Sequence, residues 1–243
     1  MMARSEREVL WVLSLYPDAR EGGGCLSVRR TNLPTGRRPD PARSAAEAGR
    51  RARGKLRRYC AANVLNRHAT LTYGPPGCFD PALLRADVAA FFRGLRGQLG
   101  TRLPYVWVPE FHPGGHGYHV HAALSRYVPR GVIERAWPHG HFWIKLVGNL
   151  PAGAGAVGEA RVVAGYMAKY VSKGFDDERR PLGRHRYEVG QGFQPQKVLV
   201  YGSSAEDVIA RASRLMGCPP SYVWLSPKEG WHGPPACWAQ WPS

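Results

Sequence analysis

Residues 110–124 read Glu-Phe-His-Pro-Gly-Gly-His-Gly-Tyr-His-Val-His-Ala-Ala-Leu, and they concentrate the side chains best suited to chemistry. His119 and His121 flank Val120 in a stretch that reads as a strand. Strand side chains alternate between faces, so both imidazoles point the same way. Two imidazoles on one face can grip a divalent metal. The Pro-Gly-Gly-His-Gly run at 113–117 is a turn signal, and it folds Tyr105–Phe111 back as an antiparallel partner. If Phe111 pairs with Tyr118, Glu110 lies beside His119 on the same face. The candidate ligands are therefore Glu110, His119 and His121. One residue of slip swaps faces, and would bring His112 or His116 in place of Glu110. The opposite face would carry Tyr105, Trp107, Phe111, Tyr118, Val120 and Leu124, which is a core face. Taken alone, His-x-His describes two half-exposed strand histidines equally well.

A second stretch, Tyr166-Met167-Ala168-Lys169-Tyr170-Val171-Ser172-Lys173, places Tyr166, Tyr170 and Lys173 at i, i+4 and i+7, one stripe of a helix. By itself the stripe reads as two core tyrosines and a solvated lysine. Lys169 stands three residues after Tyr166 and has a surface lysine as its plain alternative.

Together these stretches resemble the HUH endonucleases, and among them the rolling-circle replication initiators with two tyrosines, such as the gene A proteins of small single-stranded DNA phages and plasmid Rep proteins. The matching residues are Glu110, His119-Val120-His121 and Tyr166-xxx-Tyr170-xx-Lys173. An upstream Thr70-Leu71-Thr72-Tyr73 run matches a third element of that family, and the three stand in its order. The resemblance covers roughly residues 59–201. It implies a metal-dependent endonuclease that nicks and rejoins single-stranded DNA at an origin through a 5′-phosphotyrosine intermediate. Glu110, His119 and His121 would hold Mg²⁺ or Mn²⁺. Tyr166 and Tyr170 would be the nucleophiles, one for the first link and one for the regenerated origin; if only one acts, the Tyr-x-x-Lys spacing points to Tyr170. Lys173, and Lys169 beside Tyr166, would position or neutralise the phosphate. The implied partners are single-stranded or hairpin origin DNA, a host helicase and a polymerase.

The elements around these stretches must position them. His68–Tyr73 reads as a buried strand ended by Gly-Pro-Pro-Gly. Asp80 is an N-cap before Pro81, and Pro81–Gln98 has helical periodicity. Pro129–Trp137 reads as a short helix and Phe142–Val147 as a strand. Leu150–Gly158 reads as a flexible loop leading into a helix over Glu159–Lys173. Arg186–Val189 and Lys197–Tyr201 are possible strands, and Ala205–Met216 a final helix. The order strand, helix, hairpin, helix, strand, helix predicts an α+β domain: a mainly antiparallel sheet of about five strands, with helices on one face. HUH nuclease domains, which resemble the RRM fold, are built this way. Thr72 and Tyr73 could meet DNA or be structural. His139 and His141, in a Pro-His-Gly-His turn setting, read as incidental.

The chain has 243 residues and a formal net charge of +16, with Arg far outnumbering Lys. Arg suits bidentate phosphate contacts, so a polyanion partner is expected; a GC-rich genome would also enrich Arg. Residues 1–68 carry 15 basic and 6 acidic residues, a balance of +9. The chain reads as a basic extension (1–58), a nuclease domain (59–216) and a Trp/Pro-rich tail (217–243) with no regular pattern. In the extension Val9–Tyr16 is a short strand or helix, Glu21–Gly24 a loop, and 44–58 a very basic helix. Five scattered cysteines without a Cys-x-x-Cys pair argue against a zinc ribbon or a disulfide framework. They suit reduced thiols in a cytoplasmic protein. No apolar run is long enough to span a membrane, and no nucleotide-binding P-loop motif occurs.

Four other functions compete. A two-tyrosine transposase would use the same chemistry, but members of that group carry a Cys-rich zinc module before the nuclease. A conjugative relaxase typically places its tyrosine before the histidines. A non-catalytic DNA- or RNA-binding protein would leave the tyrosine–lysine stripe unexplained. A metal-dependent hydrolase with a water nucleophile would form no covalent adduct.

Overall fold

The computed structural model describes residues 10–27, 41–112, 114–146, 155–176, 186–227, 229–231 and 233–243, without side chains at 41–43, 45 and 172–176. In chain order the elements are β1 (Leu10–Tyr16), β2 (Glu21–Ser27), α1 (Pro41–Ala62), β3 (Arg67–Tyr73), α2 (Pro81–Leu99), β4 (Tyr105–Phe111), β5 (Tyr118–Leu124) and α3 (Arg130–Ala136). There follow β6 (Gly140–Leu146), α4 (Gly155–Asp176), β7 (Glu188–Val189), β8 (Val198–Gly202), α5 (Ala205–Met216), β9 (Tyr222–Leu225) and β10 (Ala236–Gln240). They divide into two compact units, residues 41–194 and residues 1–40 with 195–243. Residues 1–58 therefore contribute to both units, and the Trp/Pro-rich tail folds with the N-terminal strands.

In the 41–194 unit five strands form one sheet in the order β6-β3-β5-β4-β7, each neighbouring pair antiparallel. This is the α+β class and the sheet expected. Alternation sends Ala69, Leu71, Trp107, Tyr118, Val120, Ala122 and Leu124 to one face, where Leu84, Val88, Phe91, Phe92 and Leu95 of α2 and Ile133 of α3 pack on them. The reverse face carries Val106, Val108 and Ala123. It is covered by Leu56, Tyr59 and Cys60 of α1 and by Val163, Ala164, Met167 and Val171 of α4. Helices thus cover both faces, not one. Element order alone does not say which face a helix takes; the apolar stripe at 56, 59 and 60, set in a very basic helix, supplies the second layer. Each of these large side chains stabilises the fold by about 1.5–3 kcal/mol when fully buried.

Local chemistry explains the helix limits. The Asp80 carboxylate accepts a hydrogen bond from the Ala82 backbone N–H at 2.7 Å, Pro81 opens α2, and Gly100 closes it at φ +60. The helix α4 begins at Gly155, so the expected loop 150–158 ends in helix; residues 150–154 lie outside the described residues. Weak helix propensity at Gly155 and Gly158 is outweighed by packing of α4 on α1 and the sheet.

In the other unit the sheet order is β8-β1-β2-β10-β9. Leu13, Leu15, Val200, Ala239 and Trp241 pack against Val208 and Ala212 of α5. The Glu21–Gly24 run is strand rather than loop. A Cβ on Gly24 would stand 2.4 Å from the Val12 carbonyl oxygen, and one on Gly22 would stand 2.9 Å from Leu13 Cδ2. The glycines permit close strand approach, which outweighs their poor strand propensity. The tail is also structured: β10 pairs with β2 and β9. Strands of four and five residues are too short to show a period, and the partner of β10 lies near the opposite end of the chain. Among the described residues no helix is long and apolar enough to cross a membrane.

Candidate active site

The hairpin forms in the anticipated register, with Phe111 opposite Tyr118 and Glu110 opposite His119. The chain reverses through Gly117 at φ +87, where a Cβ would stand 2.4 Å from the Cys78 carbonyl oxygen. His112 Nδ1 accepts a hydrogen bond from the Gly114 backbone N–H at 3.0 Å, and the His112 backbone N–H donates to the Gly117 carbonyl at 2.8 Å. His112 therefore serves the turn. Neither it nor the exposed His116 takes the place of Glu110.

Three donor atoms converge on the sheet face away from α2. Glu110 Oε2 lies 2.8 Å from His119 Nε2 and 2.9 Å from His121 Nε2, and the two imidazole nitrogens are 3.1 Å apart. His121 is buried, and its Nδ1 stands 3.4 Å from Thr70 Oγ1 on the neighbouring strand. That contact orients the ring so that Nε2 faces the carboxylate. The group fits a divalent cation. Adjacent ligands in an octahedron with bonds near 2.1 Å stand about 3.0 Å apart, which matches the observed spacing, and one carboxylate with two imidazoles suits a borderline metal. Among the described residues this is the one His/Cys/Asp/Glu group that could hold an ion.

The tyrosine helix crosses the same face. Its apolar stripe (Val163, Met167, Val171) is buried, and this turns Tyr166 and Tyr170 toward the metal ligands. The Tyr170 ring stacks on His121 with centroids 3.6 Å apart and planes 14° apart. Its hydroxyl donates to the Tyr166 hydroxyl at 2.6 Å. Burial, then the hydrogen bond to Tyr166, then the nearby Tyr166 and Glu110 push the Tyr170 phenol above its ordinary pKa. Tyr166 is 40% exposed. The Lys169 ammonium stands 5.8 Å from the Tyr166 ring centroid. Lys173 is on the same helix, with its side chain outside the described residues.

Two neighbours of the site carry no signal in the hairpin or the tyrosine motif. Strand β3 sets Thr70 opposite His121 and Thr72 opposite His119, so His68, Thr70 and Thr72 share the site face. His68 is 2% exposed, stacks on His121 (5.6 Å) and meets Tyr166 edge-on (4.6 Å). Next, β6 sets His141 opposite Thr72 and Trp143 opposite Thr70. His141 is therefore a strand residue on the site face, not a turn residue. Period-two counting back from Thr70 and outward through β6 would have found His68 and Trp143, had the strand register been known. His139 lies 3.6 Å from the Asp87 carboxylate, which accepts the Tyr73 hydroxyl at 2.9 Å; Tyr73 thus points to the α2 side, away from the ligands.

Burial first, then His121 and Lys145, lower the His68 pKa from 6.5 to about 4. His68 is neutral at pH 7. A histidine depressed by folding contributes stability in full above its unfolded pKa and loses it as pH falls from 6.5 through about 4, because the unfolded chain binds the extra proton. The shift corresponds to about 3 kcal/mol. Wild type should therefore lose more of its urea-unfolding free energy between about pH 7 and pH 4 than His68→Phe does. Equal losses would refute the depressed pKa.

Neither the curated proteins nor the solved structures hold a match to this chain. Residues 66–175, which run from β3 into α4 and include both the metal group and the tyrosine pair, match the family model of the replication-associated protein ORF2, and over that segment the chain is a Rep-like replication-associated protein.

Proposed function

We propose that the protein initiates rolling-circle replication by nicking and rejoining single-stranded DNA at one origin site. The observation that supports this most is a juxtaposition: a carboxylate and two imidazoles converge within 3.1 Å, and Tyr170 is stacked on one of those imidazoles with its hydroxyl 2.6 Å from that of Tyr166. In the first step a tyrosine hydroxyl gives up its proton and its oxygen bonds to the scissile phosphorus. The P–O3′ bond breaks, and the 3′ oxygen takes up a proton and leaves as a free hydroxyl that a polymerase extends. The product is a 5′-phosphotyrosine. Rejoining runs in reverse: a 3′-hydroxyl attacks the phosphotyrosine and the phenol is released.

A phenol with a pKa near 10 is a poor nucleophile at neutral pH. Glu110, His119 and His121 would hold Mg²⁺ or Mn²⁺, which supplies Lewis acidity at the phosphate when bound. The remaining roles fall to the chain itself. Each tyrosine can donate a hydrogen bond to the other's oxygen as that oxygen loses its proton, so the pair suits two successive transfers. Lys169 lends positive charge beside Tyr166, and Lys173 is assigned to the phosphate. Val106, Val108 and Ala123 under α1 and α4 keep the floor of the site rigid and dry. The substrate is single-stranded or hairpin origin DNA, and a host helicase and polymerase would act on the freed 3′ end.

The test is a denaturing gel of the protein with labelled single-stranded oligonucleotides from its own replicon, with Mn²⁺ or with chelator. A denaturation-resistant protein–DNA band that needs metal is expected. Cleavage without such a band would replace the proposal with a water nucleophile, and no cleavage of any strand would replace it with a binding protein.

A further inference from the structure

The proposed chemistry uses β4, β5 and α4, yet the site face continues past them. Trp143 lies on β6, an edge strand of the sheet, opposite Thr70, which is itself opposite His121. Two strand spacings separate Trp143 from His121, about 10 Å. Its ring is 50% exposed. One edge of it meets buried His68 at 6.0 Å, and His68 in turn meets His121 and Tyr166. The Lys145 ammonium, on the same face of β6, stands 4.9 Å from the Trp143 ring centroid. An indole fixed from below by packed rings, open above and flanked by a cation, has the features of a base-stacking platform. It does not serve the core: Phe142 and Ile144, on the other face of β6, do that.

We infer that β6 carries the incoming single strand, with Trp143 stacking on a base of the nucleotide next to the scissile one and Lys145 meeting the adjoining phosphate. This rests on the proposed substrate. It adds that the strand crosses the sheet from β6 over β3 toward the metal ligands. Stacking is tolerant of base identity, so Trp143 holds register without choosing sequence.

The experiment uses full-length protein carrying Tyr166→Phe/Tyr170→Phe, so that binding is read without cleavage. Fluorescence anisotropy is measured with two labelled strands of about 12 nucleotides, oligo(dT) and a fully abasic strand with the same phosphates. Trp143→Ala is expected to weaken oligo(dT) binding about 5- to 150-fold and to leave abasic binding unchanged, while Trp143→Phe restores most of the loss. Lys145→Ala is expected to weaken both strands and to lower the salt slope by about 0.7. Unchanged oligo(dT) binding in Trp143→Ala, or equal loss on both strands, overturns the inference. The adduct gel of the active protein separates the two claims. An adduct with no Trp143 effect sinks only the platform, and a Trp143 effect with no adduct sinks only the nuclease. Absence of binding to either strand sinks both.

Discussion

Converting both tyrosines to phenylalanine, Tyr166→Phe/Tyr170→Phe, should remove the denaturation-resistant adduct and lower the cleavage rate by ~10⁴–10⁶-fold, the scale of losing a nucleophile. The substitution deletes two oxygens and keeps both rings, so the stack of Tyr170 on His121 and the edge contact of Tyr166 with His68 survive. The hydrogen bond lost is exposed, and its contribution to stability is about 1 kcal/mol. A collapse of activity with a nearly unchanged unfolding midpoint is therefore expected. Single variants should each keep an adduct, because each leaves one hydroxyl within reach of the same phosphate. Tyr170→Phe should also slow attack by Tyr166, since the hydrogen bond that would stabilise its anion is gone. An adduct in the double variant would show that some other group attacks.

The second large effect concerns the ligand set. Glu110→Gln keeps the size of the side chain and its ability to hydrogen-bond, and it removes the only negative charge of the trio. Loss of an outer hydrogen-bond partner of a metal ligand costs about 10–100-fold in affinity. Loss of a charged ligand should exceed that, and adduct formation at fixed Mn²⁺ should fall in parallel. Isothermal titration of Mn²⁺ into the variant measures it directly. His121→Ala should be worse on both counts, because the ring is also the surface on which Tyr170 rests. Wild-type Mn²⁺ affinity in Glu110→Gln would mean that the ion sits elsewhere, and the convergence of three donor atoms would then need another explanation.

The hairpin, its register and the identity of the three converging donors were legible in the sequence because each depends on local rules. A short turn ending in Gly117 at positive φ sets the pairing, and the period of two then assigns every side chain to a face. The tyrosine stripe was legible for the same reason, since i and i+4 share a helix face whatever the helix packs on. What no local rule could supply was the order β6-β3-β5-β4-β7, because pairing between strands far apart in sequence is decided by how the whole core closes. That order put His68 and Trp143 beside the ligands, moved His141 from an expected turn into a strand, and turned Tyr73 to the opposite side. It also let α1, legible only as a basic helix, become half of the second helical layer through Leu56, Tyr59 and Cys60. The triple glycine of β2 marks the same limit: its propensity says loop, and only the proximity of Val12 and Leu13 explains why a strand there must lack side chains. The sequence by itself thus determined which groups could do chemistry and how each is presented by its own element. Tertiary packing decided which elements face one another, because burial rewards the closest fit of the entire apolar surface rather than the preference of any one segment.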